Sequence, residues 1–304
     1  MANKLRSLLA TRTAIYTKIR TFFAERGVLE VDTPLLLAGA NPAPYLENFA
    51  IEGWYLQTSP EIAMKQLLAA GSGDIYQLGK AFRKNETGKL HHHEFSMLEW
   101  YRLDFDHHQL MQEVDELLKY LLATPSAKYY TYQEVCESWL GINPHRTNVQ
   151  ELQQLAKQHD LLVDNLPDNL EVWLPLLFTL LVEPKLTVEV PVFIYDFPIS
   201  QAMLARRRWQ GEEELASRFE LYYRGVELAN GFHELNDPQE QLKRFNDDLQ
   251  TRKVLGLPEI TLPHEFIHSL AQLPNCAGVA LGIDRLIMLA TQSNSLSEIL
   301  PIMA

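Results

Sequence analysis

Two strand-like runs, Asp74 to Arg83 and Glu94 to Arg102, are separated only by a polar stretch, Lys84 to His93. Runs so close in sequence pair antiparallel, because a parallel pair needs a crossover of about a dozen residues or more, usually a helix. The hairpin therefore works against a doubly wound parallel sheet. No regular βαβ alternation occurs elsewhere, so the pattern predicts an α+β fold, an antiparallel β-sheet flanked by helices. The long charged connection is itself notable, since ordered loops of this kind often carry function.

The other elements fit that frame. Ile15, Ile19, Phe22 and Phe23 form one apolar stripe, predicting a helix over about Arg12 to Arg26 that Gly27 stops. A short strand, Val28 to Val31, follows, and Thr33-Pro34 ends it. Ala38 to Pro44 reads as a loop. A helix opens at Ser59-Pro60-Glu61, with Ser59 or Thr58 as cap, Pro60 at its first position, and Met64, Leu67 and Leu68 inward. Asp106 caps a helix striped by Leu110, Met111, Val114, Leu117, Leu118 and Leu121. Residues 124 to 183 read as mixed and mostly helical. Strands return at Val188–Tyr195, Arg218–Arg224 and Leu228–Leu235. Asp237-Pro238 caps a helix expected to turn Leu242, Phe245 and Leu249 inward, and a last helix begins near Ile283 after the strand Gly278–Gly282.

Composition narrows the function classes. The chain has 304 residues, 46% hydrophobic and 22% charged, which excludes a disordered or collagen-like protein. Its formal net charge of −12 is unsuited to non-specific nucleic-acid binding, which needs a broad positive surface. Cys136 and Cys276 have no CxxC partner, so neither a disulfide framework nor a cysteine zinc site is indicated. The amino terminus lacks the apolar core of a signal peptide, and the run Trp173–Val182 is too short to span a bilayer. A cytoplasmic protein without membrane attachment is expected.

Nucleotide-loop motifs fail. Gly73 to Ala81 resembles a Walker A loop, but five residues separate its glycines and Ala81 stands where Ser or Thr is needed. Strand parity is more informative. Phe95, Met97, Glu99 and Tyr101 share one strand face, which sets Glu99 among aromatics and Met. Asn230, Phe232 and Glu234 likewise share a face. Carboxylates so placed need a cation or a donor. Glu61 at a helix start and Arg83 at the loop mouth join them. Buried ion pairs and ordinary core aromatics account for any one of these residues, but not for the fixed order in which the remaining signals fall.

Those signals resemble the class II aminoacyl-tRNA synthetases, in particular the lysyl branch. Gly27 to Pro34 (GVLEVDTP), after an amphipathic helix, is similar to motif 1, whose strand forms the family's dimer interface. Phe82-Arg83, the loop and Glu94-Phe95-Ser96-Met97-Leu98-Glu99 resemble motif 2, and Gly278 to Arg285 (GVALGIDR) resembles motif 3. Thr58-Ser59-Pro60-Glu61 and the run Glu227 to Asp237 (ELANGFHELND) match the lysyl-type core. The resemblance spans about residues 12 to 300. Motif 1 begins within 30 residues of Met1, leaving no room for the anticodon-binding domain of a full lysyl-tRNA synthetase. Residues 1–304 are thus expected to form a single catalytic domain with a helical insertion over about 124–183. In this the chain is most similar to the lysyl-synthetase paralogue family that modifies a lysine of bacterial elongation factor P.

The resemblance implies ATP-dependent activation of a lysine-type amino acid, preferably (R)-β-lysine, then amide formation on the ε-amine of a lysine of elongation factor P. It implies ATP and Mg²⁺ as cofactors, a homodimer, and no tRNA. By resemblance Arg83 bridges the α-phosphate and the substrate carboxylate, Arg285 holds the γ-phosphate, Phe95 stacks on adenine, and His91 lies in the nucleotide-contacting loop. Glu220 and Glu227 match the magnesium ligands. Glu61 takes the backbone-type amine. Glu99, Tyr101 and Glu234 take the distal amine, with Ser59, Asn230 and Phe232 completing the amino-acid site. No protein nucleophile is needed.

Two positions depart from the family pattern. Asn85 stands where a glutamate is usual, with Glu86 next to it, so either residue is a candidate for the adenine amine. Ala280 replaces a glycine of lysyl-tRNA synthetases, and its methyl reshapes the pocket. His91, His92 and His93 invite a metal reading, although consecutive residues on an extended loop converge poorly on one ion. Arg206-Arg207-Arg208 reads either as a basic patch for an acidic partner or as a solvated loop. Two alternatives to the protein ligase stand beside it: a truncated enzyme charging tRNA or another carrier, and a non-catalytic regulatory paralogue. The intact Arg83, Glu220, Glu227 and Arg285 weigh against the second.

Overall fold

The computed structural model describes residues 2–161, 163 and 166–300; positions 162, 164 and 165 of the expected helical stretch and the end at 301–304 lie outside the described residues. The chain divides into two compact units, residues 1–123 with 234–304, and residues 124–233.

The first unit begins with α1 (Ala2–Ala24), β1 (Leu29–Glu30), β2 (Leu36–Leu37), β3 (Ala50–Ile51) and β4 (Trp54–Leu56). Helix α2 (Glu61–Ala69), strands β5 (Ile75–Phe82) and β6 (Glu94–Leu103) and helix α3 (His107–Leu122) follow. The second unit holds β7 (Lys128–Thr131), α4 (Tyr132–Leu140), α5 (Val149–Gln158), α6 (Leu170–Leu177), β8 (Val192–Pro198), β9 (Arg207–Gln210), β10 (Glu213–Tyr223) and β11 (Val226–His233). The chain then returns to the first unit with α7 (Pro238–Val254), α8 (His264–Ser269), β12 (Cys276–Gly282) and α9 (Ile283–Ala290).

The first unit's main sheet runs β1-β5-β6-β12. Strand β1 is parallel to β5, while β5–β6 and β6–β12 are antiparallel. The expected hairpin is present: Ile75 pairs with Tyr101 at one end and Phe82 with Glu94 at the other. The two faces of β6 have different neighbours. Leu98 and Trp100 point into the helical layer, where Phe23 of α1 meets the Trp100 ring edge-on at 5.4 Å. There the Trp100 Nε1–H also donates to Glu113 of α3 at 3.0 Å. The opposite parity carries Phe95, Met97, Glu99 and Tyr101, so the helices that build the core leave that face to the site. Helix α3 follows the sequence reading closely: its stripe is buried and Asp106 forms a capping box with Gln109.

In the second unit the order is β11-β10-β8-β7, with β9 on the free portion of β10. Tyr132, Cys136, Trp173, Leu177 and Phe178 form its core, and Tyr132 stacks on Phe178 at 4.6 Å. The strands β10 and β11 join through Arg224 and Gly225, both at positive φ (52° and 74°), the conformation of a type I′ turn.

Several expectations are corrected. Helix α1 starts ten residues earlier, at Ala2 rather than Arg12, because the preceding stretch is rich in helix formers, although its Leu5 and Leu9 are exposed and do not extend the buried stripe. Helix α2 starts at Glu61; Pro60 is its boundary residue and cannot cap it, while the Ser59 hydroxyl before it accepts from the Glu61 N–H at 3.4 Å. Strand β8 begins at Val192 rather than Val188, and β10 already at Glu213. On α7 Phe245 is buried, but Leu242 is 38% exposed and Leu249 only half-buried, while Gln241 and Arg252 go inward. Arg252 is held there by the carbonyls of Pro258 and Ala43. Arg207 and Arg208 lie on strand β9, ion-paired to Glu214 and Asp196, and so form neither a solvated loop nor an unpaired basic patch. Among the described residues no helix is long and apolar enough to cross a membrane.

Candidate active site

Four elements of the first unit converge on the odd face of β6. Glu99 pairs in register with Gln77 of β5 on one side and Ala280 of β12 on the other; Tyr101 sits between Ile75 and Gly278. Glu99 is 2% exposed. Its Oε1 accepts from the Tyr101 hydroxyl at 2.7 Å, while its Oε2 has no hydrogen-bond partner. Helix α2 delivers Glu61 at its first position and Lys65 one turn later. The Lys65 Nζ, 1% exposed, lies 2.6 Å from Glu61 Oε1 and 2.5 Å from Glu234 Oε2. Glu234 is fixed from β12 by its own N–H, which donates to the Cys276 carbonyl at 3.0 Å. Ser59 precedes the helix, its hydroxyl accepting from the Glu61 N–H at 3.4 Å.

Gly278 is what allows this approach. A Cβ there would stand 2.3 Å from Tyr101 Cε1 and 2.5 Å from Glu234 Oε1, far inside van der Waals contact. With Ala280 and Gly282 at the next two positions of the same parity, β12 presents a low ridge beside the aromatic and acidic side chains of β6.

The electrostatics follow from two buried carboxylates, Glu99 and Glu234, and the half-buried Glu61 around one ammonium. Burial is the main reason the Glu99 carboxyl is pushed up to about 8; the charges of Glu61 and Glu234 add to it, and the Tyr101 hydrogen bond and Lys65 oppose it. Burial also carries the Tyr101 hydroxyl well above the ordinary phenol range, reinforced by the same three carboxylates. Burial alone would lower Lys65, but the adjacent Glu234 and Glu61 outweigh it and the ammonium is held charged. The cluster therefore sets Glu61 and Glu234 against one lysine ammonium, beside a Glu99 carboxyl that is largely protonated at neutral pH and keeps an open oxygen. A further cation is what such a site can accept.

The nucleotide-type residues lie at the end of the hairpin. Arg83, the first residue after β5, donates from Nε to the Thr58 carbonyl at 3.3 Å and pairs with Glu86 at 3.4 Å. Its guanidinium stands 5.1 Å from the centre of the Phe95 ring. The Arg83 N–H bonds the His93 carbonyl at 2.9 Å, closing the loop, and Asn85 turns it at φ 67°. Arg285, third residue of α9, donates to the Leu90 carbonyl at 3.2 Å and to His91 Nε2 at 2.7 Å. Because guanidinium only donates, His91 accepts there as a neutral ring. His92 and His93 address different groups, the carbonyls of Glu94 and Arg83. The three imidazoles thus diverge, contrary to a shared metal.

Two residues of this unit escaped the sequence reading. Lys65 is one; its spacing of four from Glu61 was the available signal. The other is Asp284, 2% exposed, whose Oδ1 accepts from Arg12 at 2.7 Å and whose Oδ2 accepts from the Ser96 N–H at 2.6 Å. It ties the first turn of α9, and so Arg285, to the strand segment beside Phe95.

The second unit carries the remaining candidates on one face of β10–β11. Arg218 pairs with Phe232, Glu220 with Asn230 and Tyr222 with Glu227; the register slips between Leu221 and Tyr222, leaving Leu228 as the extra residue of a bulge. The bulge brings Glu227 to the same face as Glu220, although its parity with Asn230 would otherwise turn it away. Glu220 accepts from Arg218 and, at 2.5 Å, from the Tyr222 hydroxyl. Arg218 also donates to Asn230 at 3.2 Å. Burial pushes Glu220 up to about 7, Arg218 opposing and the like charge of Glu227 adding. Two carboxylates that repel one another on one face are the hard oxygen donors a divalent ion such as Mg²⁺ takes, so this pair fits the ion.

The family model described as tRNA synthetases class II (D, K and N) matches residues 1–302. A Vibrio cholerae serotype O1 protein named elongation factor P–(R)-β-lysine ligase is 47% identical over 305 residues, covering 96% of this chain and 94% of that protein. A Yersinia pestis (strain Pestoides F) protein of the same name is 45% identical over 306 residues, covering 96% and 93%.

Proposed function

The chain belongs to the class II tRNA synthetase family (D, K and N), in its group of elongation factor P–(R)-β-lysine ligases, and from that premise we propose that it activates a lysine-type amino acid with ATP and passes it to a lysine of elongation factor P. The observation that carries the substrate class is the acidic cluster of the buried Glu99 and Glu234 and the half-buried Glu61, with the open Glu99 oxygen beside Tyr101. A neutral side chain would leave that carboxyl without a counter-charge, so a distal ammonium is favoured strongly over an uncharged analogue.

In the first step a carboxylate oxygen of the amino acid attacks the α-phosphorus of ATP. The bond to the β-phosphate oxygen breaks and pyrophosphate leaves with the electron pair. Catalysis then consists mainly of alignment and charge stabilisation. Arg83 is assigned to the two anions that must meet, a task that suits a planar fork of donors. Phe95 is assigned to the adenine face, Arg285 to the γ-phosphate, and His91 with Asn85 or Glu86 to the nucleotide rim. Glu61 takes the amine nearer the carboxylate. Glu99 takes the distal one, with Tyr101 and Glu234. Glu220 and Glu227 would hold Mg²⁺, whose charge offsets that of the triphosphate. In the second step the neutral ε-amine of the acceptor lysine attacks the acyl carbonyl. The bond to phosphate breaks, AMP departs and the nitrogen gives up a proton, so no nucleophile of this chain is consumed.

A homodimer through the motif 1 segment is part of the proposal, supported by the exposed Leu29, Leu35 and Leu36 at 58%, 40% and 44%. The reaction belongs in the cytoplasm, where the translation factor resides. The test is intact-mass analysis of elongation factor P after incubation with the enzyme, ATP-Mg²⁺ and (R)-β-lysine. A gain of one lysine residue is expected; an unmodified factor together with acid-stable charging of tRNA would overturn the reading.

A further inference from the structure

Lys65 lies at the centre of the acidic cluster and no role has been given to it. It rises from α2 one turn after Glu61, is 1% exposed, and bonds Glu61 at 2.6 Å and Glu234 at 2.5 Å. These two carboxylates come from segments far apart in the sequence, and the lysine fixes one oxygen of each. The third carboxyl, Glu99, has only the Tyr101 hydroxyl on one oxygen and nothing on the other. A buried lysine–carboxylate pair is costly to assemble, and a hydrophobic replacement is often no less stable, so its presence points to a purpose other than stability.

We propose that Lys65 is a positioning and specificity-determining residue of the amino-acid site: its ammonium cancels one of the three carboxylate charges, locks Glu61 and Glu234, and leaves Glu99 as the place where the substrate's distal ammonium must go. The proposal rests on the reading that a diamino acid is the substrate. Three carboxylates and one internal ammonium leave two negative charges when all are ionised. A diamino acid brings two ammonium groups, its own carboxylate being assigned to Arg83. Charge balance is thus reached only with both amines present, and a monoamine of the same length leaves one carboxylate unmatched. Glu99 is faced by Tyr101 from its own strand, by Glu61 and Lys65 from α2 and by Glu234 from the segment after β11, with neutral Gln77 and Ala280 on the flanking strands. Lys65 is the one positive group named among these. Its removal raises the pH at which the cluster can take a cation.

The experiment compares wild type, Lys65→Met, Lys65→Arg and the double variant Lys65→Met/Glu234→Gln in amino-acid-dependent ATP–pyrophosphate exchange, at several pH values. For Lys65→Met the amino-acid KM is expected to rise by about tenfold or more while the ATP KM changes less than about threefold, a loss confined to one substrate's binding. The acid limb of the amino-acid kcat/KM profile should move to higher pH by about one unit, the charge being buried and close. Lys65→Arg, which keeps the charge, should restore the limb. The double variant, which deletes one charge of each sign, should return it to within about half a unit of wild type, as cancelling charges require. A limb that does not move in Lys65→Met overturns the proposal. If Lys65→Met does not fold, a limb still displaced in the double variant overturns it. Wild-type exchange that responds to no diamino acid refutes the substrate reading instead, which separates the two failures.

Discussion

Glu99→Gln removes one charge and almost no volume, from a side chain that is 2% exposed and already largely protonated in the empty site. If the substrate's distal ammonium binds the ionised carboxylate, the wild type must lose a proton on binding at any pH below about 8. A hydrogen bond between charged partners is worth about 2–3 kcal/mol, so at pH 8 the variant should need roughly 30- to 150-fold more amino acid. That advantage of the wild type shrinks about tenfold per pH unit on acidification, as the carboxylate fraction falls, and should be nearly gone by pH 6. Stability runs the other way. The folded carboxyl holds its proton up to about 8 against an ordinary 4.5, so between those values the folded state binds more protons than the unfolded chain. Wild-type stability therefore falls with rising pH, by roughly 1.4 kcal/mol per unit, and Glu99→Gln lacks this slope. Amino-acid and ATP KM from exchange kinetics, with thermal unfolding from pH 6 to 8.5, read both effects. The variant should bind worse yet unfold at increasingly higher temperature than wild type as pH rises. A KM ratio and a difference in Tm that are both flat with pH would refute the assignment of Glu99.

Arg285→Ala and Glu227→Ala should each lower ATP–pyrophosphate exchange by about a hundredfold or more, the scale of losing a charge that stabilises a transition state, with little change in Tm. Gly278→Ala forces a methyl against Tyr101 and Glu234; a loss of about 1–3 kcal/mol in denaturant unfolding is expected, with the amino-acid KM raised and the ATP KM kept. Asp284→Asn keeps an acceptor for the Ser96 N–H but leaves Arg12 without its counter-charge. Denaturant unfolding should show about 1–3 kcal/mol of destabilisation, and exchange kinetics should show a higher ATP KM.

Much of the site was legible because strand parity is a strict rule. Glu99 and Tyr101 fall on one face of β6 by counting in twos, and the β5–β6 hairpin follows from the short gap between apolar runs. Glu61 was legible from its place after Ser59-Pro60. What escaped depended on partners distant in sequence. Lys65 sits beside Met64 on an otherwise ordinary helix, and its burial becomes tolerable when Glu234, distant in sequence, joins Glu61 on its ammonium. Asp284 looked like a residue of a helix start until Arg12 and Ser96 met it. On α7 the apolar residues Leu242 and Leu249 misled, because the inward face is held by backbone carbonyls that satisfy Arg252.

The bulge at Leu228 has a consequence for how the second unit can change. Glu220 and Glu227 are neighbours although one strand of the ribbon is a residue longer than its mate, because the bulge absorbs the additional position, a matter of spelling length more than of side-chain identity. One more residue between Glu227 and Asn230, with no second bulge to absorb it, would preserve both acids in the text of the chain and yet turn them to opposite sides of the ribbon, whereas loss of Leu228 would straighten the strand and leave them on one side. Variation in this ribbon is thus constrained first in its letter count: a further insertion misplaces an acid, where loss of the bulge residue, or exchange of Leu228 for another apolar residue, would keep both in place.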